Sequence, residues 1–192
     1  MKWILASASP RRKQLLGEII PQFDIIPAKG EEKDEGYPNV ESLVKALATQ
    51  KAREVAALDI ARGKAVLGAD TVVAQDGEVL GKPKDEADAA RMLKSLSGRT
   101  HEVYTGVCIS YPAGEGLSRA ERVAAACTKV VFETLTEAQI QAYIQTGSPM
   151  DKAGAYGIQD GGLVKEIDGS FSNVVGLPVE LCKTLIEEIE RN

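Results

Sequence analysis

Two stretches decide the fold: Glu102-Val103-Tyr104-Thr105-Gly106-Val107-Cys108-Ile109-Ser110-Tyr111 and, after a short break, Arg119 to Glu133. Both are long strand-like runs, and two in succession predict a mixed sheet rather than a purely parallel one. Upstream, Asp85 to Leu96 has helical spacing and is closed by Ser97-Gly98. Before it, Val72-Val73-Ala74 and Glu78-Val79-Leu80 form a hairpin around Asp76-Gly77, and Ala65 to Ala69 is a separate strand. Val40 to Leu58 repeats Leu43, Leu47, Ala48, Val55 and Leu58 on one face, an amphipathic helix that follows a polar loop from Ala28 to Asn39. At the start, strands at Trp3 to Ala6 and Phe23 to Ile26 enclose a helix from Arg11 to Ile20. Ser9 is its N-cap, Pro10 takes its first position and Pro21 ends it. Downstream, Glu137 to Gln145 is helical, Leu163 to Ile167 and Ser170 to Val175 flank an Asp168-Gly169 turn, and Pro178 opens a last helix through Ile189. No repeat, low-complexity tract or linker interrupts the chain, so residues 1–192 are expected to form one α/β domain.

With 192 residues, 44% of them hydrophobic, a sizeable core can form. A net charge of -5 and a pI near 5.1 argue against a nucleic-acid coat protein. Any anionic ligand must therefore be met by local clusters of Lys and Arg. Cys108, Cys127 and Cys182 are far apart with no CxxC pair, which suggests neither a disulfide framework nor a structural zinc site. The start, Met1 to Ala6, turns polar and basic at Ser7 to Lys13, unlike a signal peptide. No apolar run approaches the roughly 20 residues of a membrane span. A cytoplasmic protein with no membrane partner is expected.

Four segments combine small residues, charge and turns. Ser7-Ala8-Ser9-Pro10-Arg11-Arg12-Lys13 lies between a strand and a helix, where unpaired backbone N–H groups and the helix dipole favour an anion. The helix end contributes roughly 0.3–1 kcal/mol, whereas each charge-assisted hydrogen bond contributes about 1.5–3 kcal/mol, so the arginines should dominate phosphate binding. Gly68-Ala69-Asp70-Thr71 places a carboxylate at the end of an apolar strand, where it can hold Mg²⁺ or take a proton from water. An Asp in an ordinary turn has the same signature. In Gly81-Lys82-Pro83-Lys84, proline fixes the chain after Lys82 and aims its ammonium. Pro149 to Gln159 is too rich in glycine and alanine for a strand, yet it carries Asp151, Lys152, Tyr156 and Gln159; such loops commonly bind ligands. There is no GxxxxGK[ST] loop, no GxGxxG after a strand and no HExxH. The single histidine, His101, has no serine elbow to serve, so histidine-centred catalysis is not expected.

Together the four segments resemble the Maf family of nucleotide pyrophosphatases, once named for an effect on septum formation. Shorter echoes are Gln50-Lys51-Ala52, Leu96-Ser97-Gly98-Arg99, Thr105-Gly106-Val107 and Val175-Gly176-Leu177-Pro178, so the resemblance runs from Ile4 to Pro178. It implies a mixed, partly antiparallel twisted sheet flanked by helices, with a deep cleft between two lobes. It also implies nucleoside triphosphates as small-molecule partners, cleavage between the α and β phosphates, and a divalent cation, Mg²⁺ or Mn²⁺. Dimers are common in the family, so a homodimer is the assembly to test. The family's proton acceptor falls on Asp70, its specificity positions on Arg11, Thr71 and Gln159, and its functional basic residues on Lys51 and Lys82. A functional acid falls on Glu31 or Glu32, with Glu32 favoured as a metal ligand beside Asp70. Ser7, Ser9, Arg12 and Lys152 complete the expected substrate contacts. The ending Gly154-Ala155-Tyr156-Gly157-Ile158-Gln159 resembles the subgroup acting on dTTP and UTP.

Asp70 alone is a poor base, because its reference pKa is about 3.9 and that of free water about 15.7. Metal coordination brings water toward about 7, so Asp70 and the ion must cooperate, whether Asp70 takes the proton or holds the ion. The Gln159 amide offers a donor and an acceptor that match O4 and N3–H of uracil or thymine. A guanine edge presents a similar pair, so pocket shape must also contribute. The alternative reading is a non-catalytic nucleotide-sensing or septum-formation protein, for which Asp70, Lys82 and the acidic loop would be unnecessary.

Overall fold

The computed structural model describes residues 1–30, 36–113 and 118–191. In chain order its strands are β1 (Lys2–Leu5), β2 (Asp24–Ile25), β3 (Lys64–Gln75), β4 (Glu78–Leu80), β5 (Thr100–Pro112), β6 (Arg119–Phe132) and β7 (Val164–Asp168). The helices are α1 (Pro10–Gly17), α2 (Val40–Ala56), α3 (Glu86–Leu96), α4 (Glu137–Gln145), α5 (Phe171–Val175) and α6 (Val179–Glu190). The sheet runs β2-β1-β3-β5-β6-β7, with β4 beside the far half of β3. Pairing is parallel among β1, β2 and β3 and antiparallel elsewhere, which is the mixed sheet the two long runs predict.

Caps follow local chemistry. The Ser9 hydroxyl accepts from the Arg12 amide at the start of α1, with Pro10 in the first turn. Asn39 and Asp85 cap α2 and α3 in the same way, and Thr136 and Gln139 close a capping box on α4. At the tip of the β3–β4 hairpin, Asp76 (φ 52°) and Gly77 (φ 83°) adopt the positive-φ geometry that a tight hairpin requires.

Two expectations change. The stretch 64–75 is one continuous strand rather than a strand followed by a hairpin arm, so Asp70 lies in mid-strand and not at a strand's end. The reason is packing. A Cβ on Gly68 would sit 2.7 Å from the Ala52 amide of α2, and one on Gly106 would strike the Val44 carbonyl of the same helix. These glycines let α2 lie directly on β3 and β5; they do not break a strand. Further on, of the two segments flanking Asp168-Gly169, the first is β7 but the second is the short helix α5, because the Ser170 hydroxyl caps the Asn173 amide.

Apolar residues divide into two main cores. One joins β1 and the first half of β3 to α1 and α6, with Leu5, Leu16, Leu67, Ile109 and Leu177 fully buried. The other joins the far ends of β3, β5 and β6 to α3 and α4, around Leu93, Leu96, Val103, Phe132 and Ile140. Strand β3 passes from the first core at Ala69 to the second at Val73, and β5 from Val107 to Val103. The seam between the two lobes therefore crosses the sheet at Asp70-Thr71 on β3 and at Thr105-Gly106 on β5.

Candidate active site

At the seam β3 loses its neighbour. On that side β1 pairs with it only as far as Leu67, where the Ala6 amide makes the last bond at 2.8 Å, and β4 begins only at Val73. Among the described residues no strand covers 68–72 there. The gap lies beyond the carboxyl end of β1, the place where open α/β sheets take ligands. Asp70 thus meets the topological rule through its neighbour's end, not its own strand's.

Successive strand residues face opposite sides of a sheet, and Asp70 and Thr71 use both. Asp70, 6% exposed, faces α2 and pairs with the Lys51 ammonium. Thr71 faces α1 and α5, and its Oγ1 lies 2.9 Å from that of Thr105, its cross-strand partner. Arg12 closes this side: Nε donates to the Gly176 carbonyl (2.9 Å), one terminal nitrogen to Thr71 (3.1 Å) and the other to Ser7 Oγ (3.4 Å). Below it Thr105 donates to the Asn173 carbonyl (3.1 Å), and the Asn173 amide donates to Val103 and Thr128 (3.0 Å each). Ser7 Oγ also accepts from the Ser9 amide at 3.2 Å. As acceptors in these bonds, the Ser7 and Ser9 hydroxyls keep their own protons for donation.

The loop 148–160 folds as three short turns, Ser148–Asp151, Ala153–Ala155 and Ile158–Asp160. It is tied to the other three segments. The Gly154 amide donates to the Gly81 carbonyl at 3.0 Å, beside Lys82. Gly154 (φ 67°) lies so close to Val73 of β3 that a Cβ would sit 2.8 Å from its methyl group. Arg11 reaches across the seam to Asp151 at 3.4 Å. Lys152 uses all three N–H donors, on the Ser148 carbonyl (2.6 Å), the Ser148 hydroxyl (2.9 Å) and Asp151 (2.8 Å). Burial pushes the Asp151 carboxyl up, but Lys152 and Arg11 outweigh it, and its pKa lies below the ordinary value.

Contacts therefore join all four sequence segments in series beside β3. Arg12 links the first to the second, Arg11 the first to the fourth, and Gly154 the fourth to the third and to Val73, two residues past the second. Lys82 and Gln159 are exposed on this assembly. Glu31 and Glu32 lie outside the described residues. A concavity of about 820 Å³ follows the outer face of α2, lined by Gly30, Tyr37, Gln50 and Glu54 among others. None of the gap residues lines it, and it holds no buried carboxylate. Sequence inspection missed the polar support beneath Thr71, because Asn173 looks like any turn residue until α5 carries it under the sheet. Its neighbour Gly176 stood in a recognised motif, which was the one available signal.

Two known structures define the class of fold. The HAM1 protein of Coxiella burnetii superposes with a TM-score of 0.54 over 98% of this chain and 99% of that one, at 14% identity. The Ham1 protein of Staphylococcus aureus gives 0.55 with the same coverage, at 16% identity. At such identities the likeness concerns the fold. The family is shown by sequence: a family model described as "Maf-like protein" matches residues 2–189, and the chain belongs to the Maf family. Among similar relatives, the "dTTP/UTP pyrophosphatase" of Thermococcus gammatolerans is 50% identical over 186 residues, covering 96% of this chain and 95% of its own. The protein of the same name from Citrifermentans bemidjiense is 49% identical over 186 residues, covering 95% and 91%.

Proposed function

We propose that this chain hydrolyses dTTP and UTP to the monophosphate and pyrophosphate at the β3 gap. The observation that carries this reading is a buried, lysine-paired carboxylate on β3, the strand on which Arg12 meets Thr71 and Gly154 packs against Val73. The names of the relatives support the same substrates.

In this reading the triphosphate lies along the seam. Arg11, Arg12, Lys51 and Lys82 offset the charge on its oxygens through short charge-assisted bonds. Ser7 and Ser9 add hydroxyl donors at the start of α1. Water attacks the α-phosphorus in line, the bond from that phosphorus to the bridging oxygen breaks, and pyrophosphate leaves with the bonding electrons. Asp70 accepts the water's proton, and Lys51 holds its carboxylate in place. Thr71 and Arg11 set the position of the nucleotide, Lys152 holds the loop, and Gln159 meets the base edge.

A divalent cation fits this donor set. Mg²⁺ is commonly held by one or two carboxylates together with substrate phosphate oxygens. Asp70 supplies one carboxylate, and among the described residues no cluster of three His, Cys, Asp or Glu side chains forms a complete protein cage. Bound there, the ion would neutralise phosphate charge and acidify water.

The test is incubation with dTTP, UTP, CTP and GTP in Mg²⁺ or Mn²⁺, with products separated by chromatography. Pyrophosphate and monophosphate should appear, fastest from dTTP and UTP. A clear preference for GTP, or release of orthophosphate, would defeat it.

A further inference from the structure

Gln159 sits in a segment that should not hold still. Gly154, Gly157, Gly161 and Gly162 surround it, and glycine carries the largest backbone entropy of any residue. Three side chains outside the recognised motifs oppose that freedom. Tyr143, on α4, donates its hydroxyl to Asp160 Oδ2 at 2.6 Å and accepts from the Gly157 amide at 2.9 Å. Ser148 donates to the same carboxylate oxygen at 2.6 Å. The Asp160 amide closes the turn on the Gly157 carbonyl at 3.1 Å. Gln159 is thereby bracketed, two residues before by Gly157 and one after by Asp160. Burial pushes the Asp160 carboxyl up, but the two hydroxyl bonds and the Lys152 and Arg11 charges outweigh it. Its pKa lies below the ordinary value, and the acceptor stays ionised at neutral pH.

We propose that Tyr143, Ser148 and Asp160 form a positioning clamp that fixes Gln159 and thereby sets which base the site accepts. The inference rests on the reading that Gln159 meets the base. The clamp is continuous with the phosphate side, since Ser148 also receives Lys152, and Lys152 holds the Asp151 that pairs with Arg11. It touches neither Asp70 nor Lys51, which meet on the α2 face of the sheet. Loosening it should therefore blur base choice and weaken binding while sparing the chemical step.

The experiment is steady-state pyrophosphate release from dTTP, UTP and CTP by the wild type, Asp160→Asn, Tyr143→Phe, their double variant and Gln159→Ala, with melting temperatures recorded. In the Asp160→Asn variant, KM for dTTP should rise and the preference for dTTP over CTP should fall, each about tenfold, with kcat within about twofold. Tyr143→Phe should move in the same direction, and the double variant should add little, because the residues act as a unit. Unchanged base preference in both single variants, with Gln159→Ala lowering it, would overturn the clamp. Unchanged preference in Gln159→Ala itself would remove the base-reading role beneath it.

Discussion

Asp70 and Thr71 are neighbours in the chain that work on opposite faces of one strand, the first against Lys51 and the second under Arg12. His101 illustrates the other use of a polar residue. It is 2% exposed, its Nε2 lies 2.7 Å from the Tyr156 hydroxyl, and it stands edge-on to Phe132 and Tyr156. Its Nδ1 has no hydrogen-bond partner among the described groups. Burial lowers its pKa from 6.5 to about 4. The unfolded chain then takes up a proton below pH 6.5 that the folded chain refuses until about pH 4. Stability from the neutral ring is complete above 6.5 and drains away as pH falls through that window, by on the order of 3 kcal/mol in all. Carboxylates titrate nearby, so the difference between wild type and His101→Gln isolates the ring. Urea unfolding at pH 7, 5.5 and 4.5 should show a shallower decline in the variant, and equal slopes would contradict the assignment. That no serine elbow accompanies His101 was legible in the sequence; its buried partner Tyr156, 55 positions away, was not.

Among the elements, α2 carries the site's geometry. Its apolar face was readable over Val40 to Leu58, whereas its Asn39 cap reads as the end of a polar loop. The continuity of β3 was not readable, because Gly68, Asp70 and Thr71 are also residues that make turns. Only the helix lying against Gly68 and Gly106 shows why the glycines are there. That contact gives a prediction. In Gly106→Ala the new methyl meets the Val44 carbonyl, so α2 must lift, at a cost of about 3 kcal/mol or more. Lys51 moves with it, away from Asp70. Melting temperature and turnover should fall together, with turnover still depressed at temperatures where the variant is fully folded. A variant with wild-type melting and rate would show that the close approach does not matter.

At the scale of the whole molecule, two cores share three long strands, and the polar residues of the seam are those to which neither core lays claim. The four segments lie up to about 150 positions apart, and their order in the sequence was enough to identify the family. Their junctions, Arg11 with Asp151 and Gly154 with Gly81, depend on where β1 stops and β4 begins, which no local pattern states. The clamp of Tyr143, Ser148 and Asp160 was hidden for the same reason: a helix-face tyrosine acquires meaning only once a loop returns to it.

In the proposed reaction a pyrimidine triphosphate is opened at its α-phosphorus beside Asp70. Hydrolysis of dTTP in ¹⁸O-labelled water, followed by mass spectrometry of both products, tests it most directly. The label should appear in dTMP and not in pyrophosphate, and Asp70→Asn, folded and melting like the wild type, should release almost none of either. Label in the pyrophosphate, or undiminished turnover by Asp70→Asn, would contradict it.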